Sequence, residues 1–309
     1  MLLLQQMGIL FLIMLVGFIC QKIGVMNETG NKMISALVVQ VANPALILAA
    51  GINKTDTIEG KNLLFAVLLA IGVYTLAIVS AIIVPKLLKI SKRQLGTYKA
   101  MMVFSNIGFM GFPVISAVYG DQALLYASVF LIPFNILIYT WGIKIMTENN
   151  PKEENADKKI PWGKIFNVGV ISCIVTIILY VTKLPVPKMI ETTVNYFSGL
   201  TAPLSMMVIG ASMVKMKFKD LFLNKKMLVF MFIKMLVIPV IGVLLIKPLG
   251  LTRELVGVCL IMLATPVGSM NAMLSQQYDG DYELASQGVA LSTVLSVATM
   301  PLLSIILGV

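Results

Sequence analysis

Two short stretches of this sequence hold residues that could bind a solute inside an apolar chain. The first is Ser105-Asn106-Ile107-Gly108-Phe109-Met110-Gly111-Phe112-Pro113. The second is Ala264-Thr265-Pro266-Val267-Gly268-Ser269-Met270-Asn271. Each combines glycine, which tolerates broken helical geometry, with proline, which removes a backbone donor. A broken helix exposes N–H groups with partial positive charge at one new end and carbonyls at the other. An anionic group suits the first and a cation the second. Asn106 and Asn271 add amides that donate and accept without a charge to desolvate, and Ser105, Thr265 and Ser269 add hydroxyls. The candidate solute-binding set is therefore Asn106, Gly108, Gly111 and Pro113 at the first break and Thr265, Pro266, Ser269 and Asn271 at the second. The competing reading is that these polar residues only cap broken backbone or join helices.

Lys234, in Phe232-Ile233-Lys234-Met235-Leu236, is the remaining charged candidate, deep in an apolar run. A lysine at bilayer depth costs about 2.5–3.5 kcal/mol on insertion scales, which favours a position facing the bundle interior. There it could compensate an anionic solute or carry a proton; the alternative is that its long stem snorkels to the interface. Asn43, Pro44 and Pro203 fall in other apolar runs, where the prolines bend the helix and fit a scaffold role.

The chain around these residues is 309 residues long, 58% hydrophobic and 12% charged, with a mean hydropathy of +0.93. An ordinary soluble protein carries roughly 25% charged residues. Apolar runs approaching the roughly 20 residues of a spanning helix fall at 4–21, 32–51, 62–84, 97–119, 122–145, 164–183, 190–213, 226–247, 254–277 and 284–307. The fold class expected is an all-α polytopic membrane protein with ten transmembrane helices. The opening Met1–Gly17 lacks a basic leader and reads as part of the first span. Turn signals at 27–31 and 53–56 support the cuts. The polar segment Glu148–Pro161, flanked by Trp141 and Trp162 as interfacial aromatics, separates a first five-helix unit (1–147) from a second (164–309) through a linker (148–163).

The net charge of +10 lies almost wholly in loops, so it reflects topology and not nucleic acid. Lys and Arg total 17 at the joints after the odd-numbered spans and 6 at those after the even-numbered spans. The joint after span 9 dissents, with Asp279, Asp281, Glu283 and no base. The positive-inside rule then places the odd joints, linker included, in the cytoplasm and both termini outside a multi-pass cytoplasmic-membrane protein. Cys20, Cys173 and Cys259 are scattered in apolar runs and imply packing, with neither disulfide framework nor metal site. The chain has no histidine, which removes His-ligated metals and Ser-His chemistry. There is no Walker A motif, and no carboxylate pair lies inside a span. A Ser–Lys pair is the hydrolytic arrangement the composition leaves open, so an enzyme is disfavoured.

A faint internal repeat connects the halves. Pro44 and Gly51 match Pro203 and Gly210 at a shift of 159, Asn106 and Gly108 match Pro266 and Gly268 at 160, and Tyr119 and Asp121 match Tyr278 and Asp281 at 159 and 160. Because five spans is an odd number, the second half enters the membrane from the opposite side. The result is an inverted five-helix repeat in which broken spans 4 and 9 meet and cross near midplane.

Asn43-Pro44-Ala45, the 106–113 stretch, Lys234 before Pro239, and Thr265-Pro266 resemble the bacterial branch of the auxin efflux carrier family over the whole chain. That family is similar in architecture to bile-acid symporters and sodium/proton antiporters. The resemblance implies a scaffold of spans 1, 2, 6 and 7, a transport domain of the rest, and a homodimer. It also implies an elevator-like, alternating-access secondary transporter for a small organic anion, a mono- or dicarboxylate. Plant members export an indole carboxylate, and bacterial members carry malate or malonate permease labels. No cofactor is expected; coupling to sodium or protons is left open. A channel or a membrane receptor for a small carboxylate is the alternative, since broken helices line channels too.

Overall fold

The computed structural model describes residues 2–52, 60–147, 162–214, 224–278 and 280–308. The turn at 53–56, the segment Glu148–Pro161, Lys215, Lys217, Lys219, Asp279 and the Trp162 side chain lie outside them. The described residues are 86% helical and include no strand.

Apart from a single helical turn at Trp162–Ile165, the described helices are α1 (Leu2–Lys22), α2 (Glu28–Ile52), α3 (Gly60–Leu87), α4 (Lys92–Val103), α5 (Ile107–Tyr119), α6 (Ala123–Met146), α7 (Val168–Thr182), α8 (Lys188–Met213), α9 (Lys225–Leu249), α10 (Arg253–Ala264), α11 (Met270–Gln277) and α12 (Tyr282–Leu307). Six of them (α2, α3, α6, α8, α9 and α12) are long and apolar enough to cross a membrane. The spans read at 97–119 and 254–277 are each two helices, α4 with α5 and α10 with α11.

Local chemistry sets the starts. Side-chain oxygens of Asn27, Asn167, Asn224, Thr252 and Asp281 accept from backbone N–H groups in the first turns of α2, α7, α9, α10 and α12. Each satisfies a donor that an α-helix leaves open at its N-terminus. Asn27 to Asn31, read as a turn, is thus a cap followed by the first helical turn. Gly120, at φ 79°, closes α5 in a backbone region that side chains disfavour.

Proline also shapes the interiors, with a common spacing. Widened turns occupy Val38–Ala42, Ile107–Gly111 and Ile233–Val237, and each ends two residues before a proline: Pro44, Pro113 and Pro239. In each, the N–H after the turn reaches back five residues: Asn43 to Val38, Phe112 to Ile107, Ile238 to Ile233. A proline ring clashes with the carbonyl four residues earlier, and widening the turn moves that carbonyl aside. A fourth such turn, Ile138–Gly142 in α6, has no following proline.

Packing brings backbones together where side chains are absent. A Cβ on Gly210 of α8 would overlap the Met14 carbonyl of α1, and one on Gly17 of α1 would overlap the Met207 backbone of α8. A Cβ on Gly51 of α2 would stand 2.8 Å from the Thr176 carbonyl of α7. Thr176 in turn donates to the Ile47 carbonyl at 2.9 Å. Close approach through small residues is how helices associate where lipid removes the hydrophobic drive. Around the breaks the core is aromatic. Phe104 is fully buried, with ring centroids 5.8 Å from Phe134 and 6.2 Å from Trp141. Trp141, read from sequence as interfacial, is half-buried against that ring. The three cysteines are free thiols, and Cys173 donates to the Ser128 carbonyl at 3.1 Å.

Candidate substrate site

The helix runs to Val103, stops, and restarts at Ile107; the second runs to Ala264 and restarts at Met270. Ser105 and Val267, one from each gap, form an isolated antiparallel bridge. The Asn106 N–H donates to the Pro266 carbonyl at 2.7 Å, and the Gly268 N–H donates to the Phe104 carbonyl at 3.0 Å. Backbone groups freed by one break are thereby satisfied by the other. This is the condition under which irregular backbone is tolerated inside a membrane protein.

The two asparagines have different duties. Asn271 is fully buried, and its Nδ2 donates to the Phe104 carbonyl at 2.7 Å and to the Gly268 carbonyl at 2.8 Å. It stitches the second break to the first. Its Oδ1 has no hydrogen-bond partner among the described residues. Asn106 caps its own helix, with Oδ1 accepting from the Phe109 N–H at 3.3 Å. Its carbonyl also accepts from Met110 and Gly111.

Around these two, the other sequence candidates fall at the same place or beside it. Gly111 faces Thr265, whose Cγ2 would lie 3.5 Å from an added Cβ. Thr265 Oγ1 back-bonds to the Met262 carbonyl at 3.1 Å. Gly108 lies beside Asn43, whose Nδ2 would stand 3.2 Å from an added Cβ. Asn43 and Pro44 are buried in α2 just after its widened turn. Pro113 is buried in α5, and Pro203 is half-buried near the start of the second segment of α8, Thr201–Met213. Ser269 is exposed at the mouth of the second break.

Lys234 is buried, 2% exposed, and its Nζ donates to Ser105 Oγ at 2.8 Å. It joins α9 to the first break and lines a narrow cleft with Tyr74, Ser105, Ile107, Ile238 and Met262. Burial to this degree rules out the snorkelling alternative. No ion pair to Lys234 occurs among the described residues.

Once the breaks have satisfied each other, specific donors are left. The backbone N–H groups of Gly108, at the start of α5, and of Ser269 and Met270, at the start of α11, carry no hydrogen bond among the described residues. Both sets sit at helix N-termini, where partial positive charge gathers. Sequence reasoning missed Ser292 of α12, whose Oγ accepts from the Val267 N–H at 2.9 Å. Nothing distinguishes it in sequence from the other hydroxyl residues of α12. It also missed the regular spacing of Pro44, Pro113 and Pro239 behind widened turns, which was readable once one such turn was known.

The pattern of the family described as membrane transport protein matches residues 2–304. An uncharacterized transporter of Methanocaldococcus jannaschii is 22% identical over 306 residues, covering 95% of each chain. An uncharacterized transporter of Methanothermobacter thermautotrophicus is 21% identical over 295 residues, covering 96% of this chain and 95% of its own. These likenesses point to a membrane transporter and away from an enzyme. A match over nearly the full length assigns the chain to the membrane transport protein family, the auxin efflux carriers.

Proposed function

We propose that this multi-pass membrane protein is a secondary transporter that moves a small organic anion, a mono- or dicarboxylate, across the cytoplasmic membrane. The observation that carries the reading is the charge of what the joined breaks leave open. The unbonded donors at Gly108, Ser269 and Met270 are N–H groups at helix N-termini, and the buried group bonded to Ser105 is the Lys234 amine. Such a set favours an anion over a cation. Asn106 and Asn271 hold the two breaks in the geometry that presents these donors, with Asn43 beside Gly108.

The reading extends to architecture: ten spans in two inverted repeats, 1–147 and 164–309, with spans 4 and 9 crossing. Gly51 and Gly210, related by the shift of 159, support it. Gly51 of span 2 packs on Thr176 of span 6, and Gly210 of span 7 packs on Met14 and Phe18 of span 1. The same shift carries Met14 and Phe18 to either side of Thr176, as a two-fold exchange of halves requires. These close contacts also tie spans 1, 2, 6 and 7 together as a scaffold against which the broken-helix unit moves in an elevator-like cycle. We further place both termini outside the cell and the working unit as a homodimer, with coupling to sodium or protons decided by experiment.

Counterflow in proteoliposomes tests the function. Vesicles preloaded with unlabelled malonate should accumulate labelled malonate transiently, with saturable kinetics, and indole-3-acetate serves as the monocarboxylate probe. Flux of either anion without saturation or counterflow would mean a channel. Binding without flux would mean a receptor.

A further inference from the structure

Ser292 lies in α12, outside both breaks, yet it supplies the bond on which the second break depends. Val267 is fully buried, so water cannot satisfy its N–H. Its partner is Ser292 Oγ at 2.9 Å. The Ser292 side chain is itself fully buried, and its hydroxyl proton is committed to the Val289 carbonyl at 3.1 Å. That commitment turns an oxygen lone pair toward Val267. One turn further along, Ser296 donates to the Thr293 carbonyl at 2.7 Å and lies 3.6 Å from Met110 Sδ in the first break. One face of α12 therefore touches both breaks.

We propose that Ser292 is a positioning residue for the anion site. With the Val267 N–H held sideways by α12, the neighbouring Pro266 carbonyl faces the Asn106 N–H and the Gly268 N–H faces the Phe104 carbonyl. The next two N–H groups, of Ser269 and Met270, are then the ones left unbonded at the start of α11. Without the hydroxyl, a buried donor has no partner, and the gap must shift to find one. The inference rests on the anion-site reading above, although its structural half can be measured without any ligand.

The test compares wild type with Ser292→Thr and Ser292→Val in lipid nanodiscs. The two replacements match in shape, and only threonine keeps an oxygen at the position of the bond. Hydrogen exchange is followed in peptides covering 265–271, with peptides of α3 as the internal reference. Malonate affinity is read from the ligand-dependent shift in thermal midpoint. Ser292→Val should speed exchange at 265–271 roughly tenfold, with α3 unchanged, and weaken malonate by a similar factor. Ser292→Thr should stay within about twofold of wild type on both readouts. Equal behaviour of the two variants, or exchange at 265–271 unchanged in Ser292→Val, would overturn the proposal. Absence of malonate binding in wild type would count against the anion reading, while the exchange comparison would still decide the role of Ser292.

Discussion

Lys234 Nζ donates to Ser105 Oγ across 2.8 Å, and those two residues are 129 positions apart in the chain. The bond places a buried amine of α9 against the backbone gap between α4 and α5. Ser105 is also the residue that bridges to Val267 of the other gap. Ser105 therefore joins three segments, and a change at Lys234 is expected to reach both breaks.

For Lys234, function and stability should separate. Burying an amine is costly, so Lys234→Met should leave the thermal midpoint equal to or above wild type while removing most anion uptake. Lys234→Arg should keep part of the uptake, because it preserves the positive field. The loss in Lys234→Met should be larger for malonate than for indole-3-acetate, since a second negative charge gains more from the same cation. If the amine carries the coupling proton, Lys234→Met and Lys234→Arg should both still exchange substrate but lose dependence on a pH gradient. Full pH-coupled uptake in Lys234→Met would refute both roles.

The two asparagines should fail in different ways. Asn271→Ala removes two buried bonds and leaves carbonyls without that donor, so unfolding stability should fall by about 1–3 kcal/mol together with malonate affinity. Asn106→Ala removes a cap, which costs about 1 kcal/mol, and Asn106→Ser should recover most of that loss. Thermal unfolding with and without malonate checks both. Normal stability and affinity in Asn271→Ala would mean that the breaks hold together without the stitch.

Glycine substitutions test the scaffold. Gly210→Ala pushes a methyl into the Met14 backbone and should cost about 1–3 kcal/mol. Gly51→Ala, at its repeat-related position, should be destabilising in the same range. Gly72→Ala is the control: nothing lies within 4 Å of an added Cβ there, so the gain in helix propensity should stabilise by up to about 1 kcal/mol. Equal midpoints for all three variants would contradict tight packing of α1 on α8 and of α2 on α7.

Pro239 offers a test of how Lys234 is aimed. Pro239→Ala restores a backbone donor and removes the ring that favours the widened turn at Ile233–Val237. A regular helix would rotate Lys234 away from Ser105. Anion uptake should therefore drop several-fold while the thermal midpoint holds or rises, as expected when a helix-interior proline is removed. Uptake at the wild-type level would show that the turn does not orient the lysine.

The class of the protein and the location of its irregularities were legible from the residues alone. Apolar runs of spanning length, basic loops and glycine–proline pairs act through solvation and local backbone geometry, which need no knowledge of neighbours. That is why the breaks near Asn106 and Pro266 and the buried lysine were legible. Which groups those residues meet came only from packing. Which groups an asparagine amide meets depends on what packing brings within 3 Å, and for Asn271 Nδ2 these include the Phe104 carbonyl, 167 positions away. The same dependence set Trp141 against the Phe104 ring, and brought an undistinguished serine at 292 to the Val267 N–H. Hydrogen bonds of this kind reward proximity created by packing, and a single chain read in order carries no record of that proximity.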